Sequence, residues 1–348
     1  MCASTQNQGP VPVTSFKLRS KPIDEPTLTS YDDDLKSLNV LVFGPTGAGK
    51  STIINHLTNN SANLPIGHEL ESCTTDIIPV SIEHKGRIIT FLDTPGFDDS
   101  EKTPAEHLVL LMARLDEMHK LFKGRPHIHG VFYIHRITDN KMTKSAKMSI
   151  RMFQKLLGDH VFKNLVFVTN MWGTPPKDNH VRFEQSLIQK DEYFGAAVKK
   201  GARAGAAYRI WEDATRVQVQ DALLDIFLTN DPEVLQVQQE LAASEVVEIS
   251  STEAGKVIRE ELELATHDLQ KRLGDLEKQL ELVPSVEKEE QEEMLADIKD
   301  LKADLNKLKD QDSLLDADTT FLRKAIPGVM ARVWAGTSAA VVANQRLA

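Results

Sequence analysis

The residues of this chain best placed to act together chemically lie in FGPTGAGKST, Phe43 to Thr52. Gly44, Gly49, Lys50 and Ser51 satisfy the spacing G-x-x-x-x-G-K-[ST]. A loop of this composition turns its backbone N–H groups inward, so that they wrap the α- and β-phosphates of a nucleotide at a helix N-terminus. Lys50 would then reach the β- and γ-phosphates as a compact positive charge. The Ser51 hydroxyl would ligate Mg²⁺, which keeps several waters of its own. Thr46, Gly47, Ala48 and Thr52 complete the stretch expected to line the nucleotide. The context agrees: the apolar run LNVLVF leads into the loop and the helical pattern KSTIINHL leaves it.

A second anchor, FLDTPG, ends another apolar run about 40 residues on. Asp93 can hold Mg²⁺ through water, and Gly96 leaves its N–H open to a γ-phosphate. Between the two anchors stands ESCTTDIIPV, where a threonine can close on Mg²⁺ and make the loop sensitive to the γ-phosphate. Thr75 is preferred for that role, with Thr74 beside it and not separable from it by residue type.

GPTGAGKST, the TT pair and DTPGFDD, in this order and spacing, resemble the translation-factor class of P-loop GTPases. The most similar branch is that of septins, immunity-associated nucleotide-binding GTPases and chloroplast-import receptor GTPases. The similarity runs over roughly 38–230. It implies a guanine-nucleotide-binding protein that hydrolyses GTP to GDP and phosphate with Mg²⁺, with Lys50, Thr75 and Arg136 as catalytic groups and Ser51, Thr75 and Asp93 as the metal ligands. It also implies nucleotide-dependent switch loops and dimerisation through the G domain.

Three departures from the family pattern matter. Phe97 follows DTPG where the Ras-like members carry a water-orienting Gln, so slow intrinsic hydrolysis or help from another group is expected. In FYIHRITD, Arg136 matches an arginine that the import-receptor and immunity-associated families turn toward a partner's nucleotide, with His135 a helper. Such an arginine finger is worth roughly 10³ to 10⁵ in rate where it operates. Finally, the base-reading N/T-K-x-D segment is replaced by TNMW, Thr169 to Trp172, which aligns Trp172 with the guanine-binding Asp. Thr169 and Asn170 are expected at the nucleotide, and Trp172 can stack on a purine face. Glu212 or Asp213 can replace the missing carboxylate, Asp213 being better suited to cap the following helix. A nucleotide-gated coiled-coil interaction protein with negligible turnover, and an ATPase, stand as rival readings.

Several elements must position these groups. Short apolar runs at LNVLVF, DIIPVSIEH, RIITFLD, HIHGVFYIH and NLVFVTN alternate with helical patterns, which predicts an α/β three-layer sandwich around a mainly parallel sheet. Only Lys85 and Gly86 join the second and third runs, so one antiparallel edge strand is expected. Thr103 and Pro104 read as the start of a helix carrying Leu108, Leu111, Met112, Leu115 and Phe122 on one face. After Asp231-Pro232, leucines and isoleucines recur at spacings of three and four on both sides of Pro284, predicting a coiled-coil hairpin or an oligomerisation stalk. The expected layout is a flexible arm over 1–37, a P-loop GTPase domain over 38–230, the acidic coiled coil over 233–316 and a helical tail over 317–348.

Charge is placed unevenly. Residues 251–320 hold 20 Asp+Glu against 10 Lys+Arg, leaving 31 of each elsewhere, so the chain's net −10 resides in the helical extension. No basic face invites a phosphate backbone, and nucleic acid is not expected as a partner. Cys2 and Cys73 make a disulfide framework improbable, and a reducing, cytoplasmic setting is expected. The start lacks a signal-peptide pattern, and the apolar run Val333 to Ala343 is too short to span a bilayer. The expected partners are guanine nucleotide, a second copy of the chain through the G domain or the coiled coil, and an unidentified protein.

Overall fold

The computed structural model describes residues 37–58, 64, 77–97, 102–139, 141–282, 288–318 and 320. Thr74 and Thr75, the arm up to Lys36, the break at Pro284 and the run Val333 to Ala343 lie outside the described residues.

Six strands form one sheet in the order β2-β3-β1-β4-β5-β6. β1 (Ser37–Phe43) lies between β3 (Arg87–Asp93) and β4 (Ile128–Arg136), parallel to both, and all seven of its residues are buried. A strand covered on both faces must be largely apolar, which explains the nearly unbroken run in β1. β5 (Leu165–Trp172) and the short β6 (Arg209–Trp211) continue the parallel sheet on the other side of β4. β2 (Ile78–His84) pairs antiparallel with β3 at the edge. Its turn, Lys85-Gly86, has positive φ at both residues (50° and 73°), the backbone twist that a two-residue hairpin requires.

Side-chain alternation along β1 divides the core. Leu41 and Phe43 face one side, with residues of α2 (Pro104–Leu121) and α3 (Lys144–Leu157). Leu38, Val40 and Val42 face the other, with Ile53 and Ile54 of α1 (Lys50–Leu57). The helix starts follow local chemistry. Thr103 caps α2 by accepting from Glu106 N–H, while the Glu106 carboxylate accepts from Thr103 N–H, with Pro104 at the first helical position.

α4 (Asp178–Gln189), α5 (Gly195–Lys199), α6 (Arg216–Leu223) and α7 (Gln236–Ala242) precede two long helices, α8 (Glu253–Leu282) and α9 (Lys288–Leu315). These two pack antiparallel within the chain: Arg259 pairs with Asp312 and Asp316, and Glu277 with Lys302. Val257, Ile258, Leu262 and Leu315 at their base join the same apolar cluster as Phe43 and Phe153. The extension therefore grows out of the core beside α2 and α3. Among the described residues, no helix is long and apolar enough to cross a membrane.

Candidate nucleotide site

The Gly-rich loop leaves β1 and opens α1 at the end of the sheet where the parallel strands finish, the usual place for ligands in such sheets. Gly49 caps α1 in the left-handed region (φ 91°), and a Cβ there would strike the Asn170 amide nitrogen. Only glycine fits both demands. The Lys50 ammonium folds back over the loop, donating to the carbonyls of Gly44 (3.2 Å) and Pro45 (3.0 Å) in a buried position. It is thereby held across the loop's mouth.

Ser51 Oγ donates to Asp93 Oδ2 at 2.7 Å across 42 residues of sequence. The parallel pairing of β1 with β3 brings their ends together and so joins the two expected metal ligands. The pair fits Mg²⁺: both are hard oxygen donors, and one carboxylate with a hydroxyl leaves positions for water and phosphate oxygens. Asp93 is fully buried, so its charge is shielded from competing solvent. The DTPG turn that follows is fixed at both ends. Thr94 donates N–H and hydroxyl to the Val42 carbonyl, while Phe97 is buried and stacks on Phe43, with ring centroids 5.8 Å apart. The side chain at the Gln position is thus committed to the core and cannot orient water.

Arg136, at the end of β4, donates from Nε to Asp139 Oδ1 at 2.7 Å. A Cβ on Gly47 would stand 3.2 Å from Arg136 Nη1, which places the guanidinium beside the loop of its own chain. Sequence reasoning does not single out Asp139, although the i, i+3 spacing of opposite charges in RITD is its signal. His135 does not reach the surface: its ring is buried among Phe183 and Phe194, which removes it as a helper toward a partner.

At the base side the expectations need correction. Asn170 donates from Nδ2 to the Ala48 carbonyl at 3.0 Å and accepts from Met171 N–H, so it braces the loop. An N-x-x-D segment counted from Asn170 ends at Gly173, which has no side chain. Trp172 is fully buried; its indole N–H donates to Thr169 Oγ1 (3.0 Å) and the Arg209 guanidinium lies 4.1 Å from the ring centroid. It offers no open face for a base. Thr169 is buried too, donating to Glu184 Oε1 at 2.8 Å, so its hydroxyl is used internally. Arg209 clamps Glu184 in a nearly buried ion pair. This network spans three elements and leaves no local trace in the sequence.

Glu212 stands just past β6, exposed, its N–H donating to the Trp172 carbonyl at 2.9 Å. Asp213 accepts from Thr174 Oγ1 (3.2 Å), and the cap of α6 is Thr215 in a capping box with Gln218. Of the two carboxylates, Asp213 is engaged by Thr174, while Glu212 stands exposed beside the end of β5. The structure therefore gathers residues 44–52, Asp93, Gly96, Arg136 and Asn170 around one loop and withdraws Thr169 and Trp172 into the interior.

Residues 39–153 match the family model described as 50S ribosome-binding GTPase. The chain carries a P-loop GTPase domain. This GTPase domain is 29% identical over 130 residues to GTP-binding protein A of Dictyostelium discoideum, covering 37% of this chain and 27% of that protein. It is 30% identical over 141 residues to Translocase of chloroplast 159 of Arabidopsis thaliana, covering 40% of this chain and 9% of that protein. The match thus spans about a quarter or less of these relatives' own lengths. A crystal structure of Toc33 from Arabidopsis thaliana in complex with GDP and Mg²⁺ overlaps 59% of this chain and 90% of its own, at 18% identity and a TM-score of 0.45.

Proposed function

We propose that the chain binds GTP with Mg²⁺ and hydrolyses it slowly to GDP and phosphate. The observation that carries this reading is the 2.7 Å meeting of Ser51 Oγ with Asp93 Oδ2 beneath a glycine-wrapped loop whose mouth is crossed by the Lys50 ammonium. Ser51 and Asp93 would hold Mg²⁺, which would supply Lewis-acid neutralisation of the charge on the phosphates. Lys50 and the loop N–H groups stabilise the same charge as a water oxygen attacks the γ-phosphorus and the bond to the bridging oxygen of GDP breaks. Slow turnover follows from Phe97, whose ring is buried where a polar side chain would have to guide that water. Thr75 is the expected second hydroxyl on the metal.

Arg136 is the group proposed to add positive charge across a G-domain dimer, and Glu212 the group proposed to read guanine. The antiparallel pair α8–α9 acts as an acidic coiled-coil extension that passes nucleotide state to a protein partner, and the two cysteines accord with a cytoplasmic setting. A nucleotide-gated scaffold with negligible turnover is the second reading, favoured by the same burial of Phe97.

The test is calorimetric titration of the full chain with GTP and with ATP, Mg²⁺ present, beside Lys50→Ala. Binding of GTP that Lys50→Ala abolishes supports the reading; heats equal for both proteins overturn it. Preference for ATP overturns the assignment of the base, and a GTP preference unchanged in Glu212→Ala overturns the role given to Glu212.

A further inference from the structure

Thr46, the third residue of the loop, carries a side chain that neither the loop's own fold nor the Ser51–Asp93 pair employs. Its Oγ1 is shut off from solvent and has no hydrogen-bond partner among the described residues. A buried hydroxyl left unsatisfied is costly, and in a ligand site it marks where a polar atom of the ligand arrives. The surroundings say which atom. A Cβ added to Gly96 would collide with Thr46 Oγ1 and stand 2.6 Å from Thr46 N, so the DTPG turn and the loop touch at this hydroxyl. Lys50 Nζ donates to the carbonyl of Pro45, the residue next to Thr46, and so holds its charge at the same half of the loop. Thr94 and Phe97 pin the turn on either side of Gly96, which keeps its backbone facing Thr46.

We propose that the Thr46 hydroxyl hydrogen-bonds the terminal phosphate of a bound nucleoside triphosphate, so that it distinguishes triphosphate from diphosphate at the seam between the loop and Gly96. This deepens the GTP reading above and rests on it. A diphosphate held by the loop's N–H groups ends short of the seam and leaves the hydroxyl as it is. A triphosphate brings an anionic oxygen to the hydroxyl and, through Gly96, to the turn that leads into the segment after Phe97. Thr46 thereby takes up a phosphate contact in a site where Phe97 supplies none.

The experiment compares wild type, Thr46→Val and Thr46→Ser in the full chain by calorimetric titration with a non-hydrolysable GTP analogue and with GDP, Mg²⁺ present. Valine keeps the shape and removes the hydroxyl; serine keeps the hydroxyl. Thr46→Val is expected to weaken the triphosphate analogue roughly 10- to 100-fold, the value of a hydrogen bond to a charged group, and GDP by less than about threefold. Thr46→Ser is expected to stay within about threefold of wild type for both, which also controls for a packing defect. Equal loss of both ligands in a Thr46→Val protein with wild-type melting, or no loss of either, overturns the inference while leaving the nucleotide site standing. Wild-type protein that binds neither ligand removes the GTP reading and this inference together.

Discussion

Trp172→Phe separates an architectural tryptophan from one that stacks on a base. Trp172 is fully buried, donates its indole N–H to Thr169 Oγ1, and carries the Arg209 guanidinium on its face at 4.1 Å. Phenylalanine loses the buried hydrogen bond, about 1 kcal/mol, and leaves the Thr169 hydroxyl short of one partner. It also opens a small cavity, costing roughly 1 to 2 kcal/mol, and weakens the cation–π contact by about 0.5 to 1 kcal/mol. Together the substitution should destabilise the fold by roughly 2 to 4 kcal/mol, seen as a lower urea midpoint at unchanged slope. Nucleotide affinity, measured at a temperature where the variant remains folded, should stay within about threefold of wild type. Wild-type stability combined with a tenfold or greater loss of nucleotide affinity would refute the reasoning, since a buried core residue cannot behave in that way.

Other consequences can be checked in parallel. Asn170→Ala removes the amide that joins β5 to Ala48 and the acceptor for Met171 N–H; it should cost about 2 to 3 kcal/mol in chemical denaturation and weaken nucleotide binding with it. An Asn170→Ala protein with wild-type melting would show that the brace is idle. Replacing Arg209 with Met strands Glu184 in the interior, and about 3 kcal/mol of stability should be lost, with recovery when Glu184→Gln is added in a double-mutant cycle. Arg136→Ala should abolish any rise of single-turnover rate with protein concentration; a rate that is independent of concentration in wild type would place the arginine on its own loop, beside Gly47.

Burial also gives the fold an acid-side weakness. His127 is pushed down to about 4, chiefly by burial, and its neutral form is fixed by donation from Nδ1 to the Arg125 carbonyl (2.7 Å) and acceptance at Nε2 from Gln238 (3.2 Å). His129 is likewise lowered to about 4 by burial, and accepts at Nδ1 from Asn39 N–H. Between pH 6.5 and about 4 the unfolded chain binds protons that the folded chain refuses, so stability present above 6.5 is lost as pH falls through this window. His127 alone should contribute roughly 3 kcal/mol to that loss. Urea titrations from pH 7 to 4 measure it, and His127→Asn should flatten the slope; a slope unchanged by that substitution would contradict the burial argument.

What the sequence determined by itself are the features whose cause is local. Gly44, Gly49, Lys50 and Ser51 specify a phosphate loop because backbone freedom, a helix start and an ammonium need only a short run of consecutive residues. Continuous apolar runs specify buried parallel strands, Lys85-Gly86 specifies the hairpin, and Thr103-Pro104 specifies a capped helix. The antiparallel helix pair was legible as periodicity, but whether it paired within the chain was not, because a heptad pattern does not choose its partner. Tertiary structure decided the rest. Ser51 and Asp93 meet only because β1 and β3 run parallel and in register, and Asn170 declares its role only by reaching Ala48 across 122 residues. Trp172 reads as a base platform until Arg209, brought in from β6 and held by Glu184 of α4, closes over it. The physical reason is common to all three: a side chain's direction and burial depend on neighbours distant in sequence, and residue type and spacing carry no record of them.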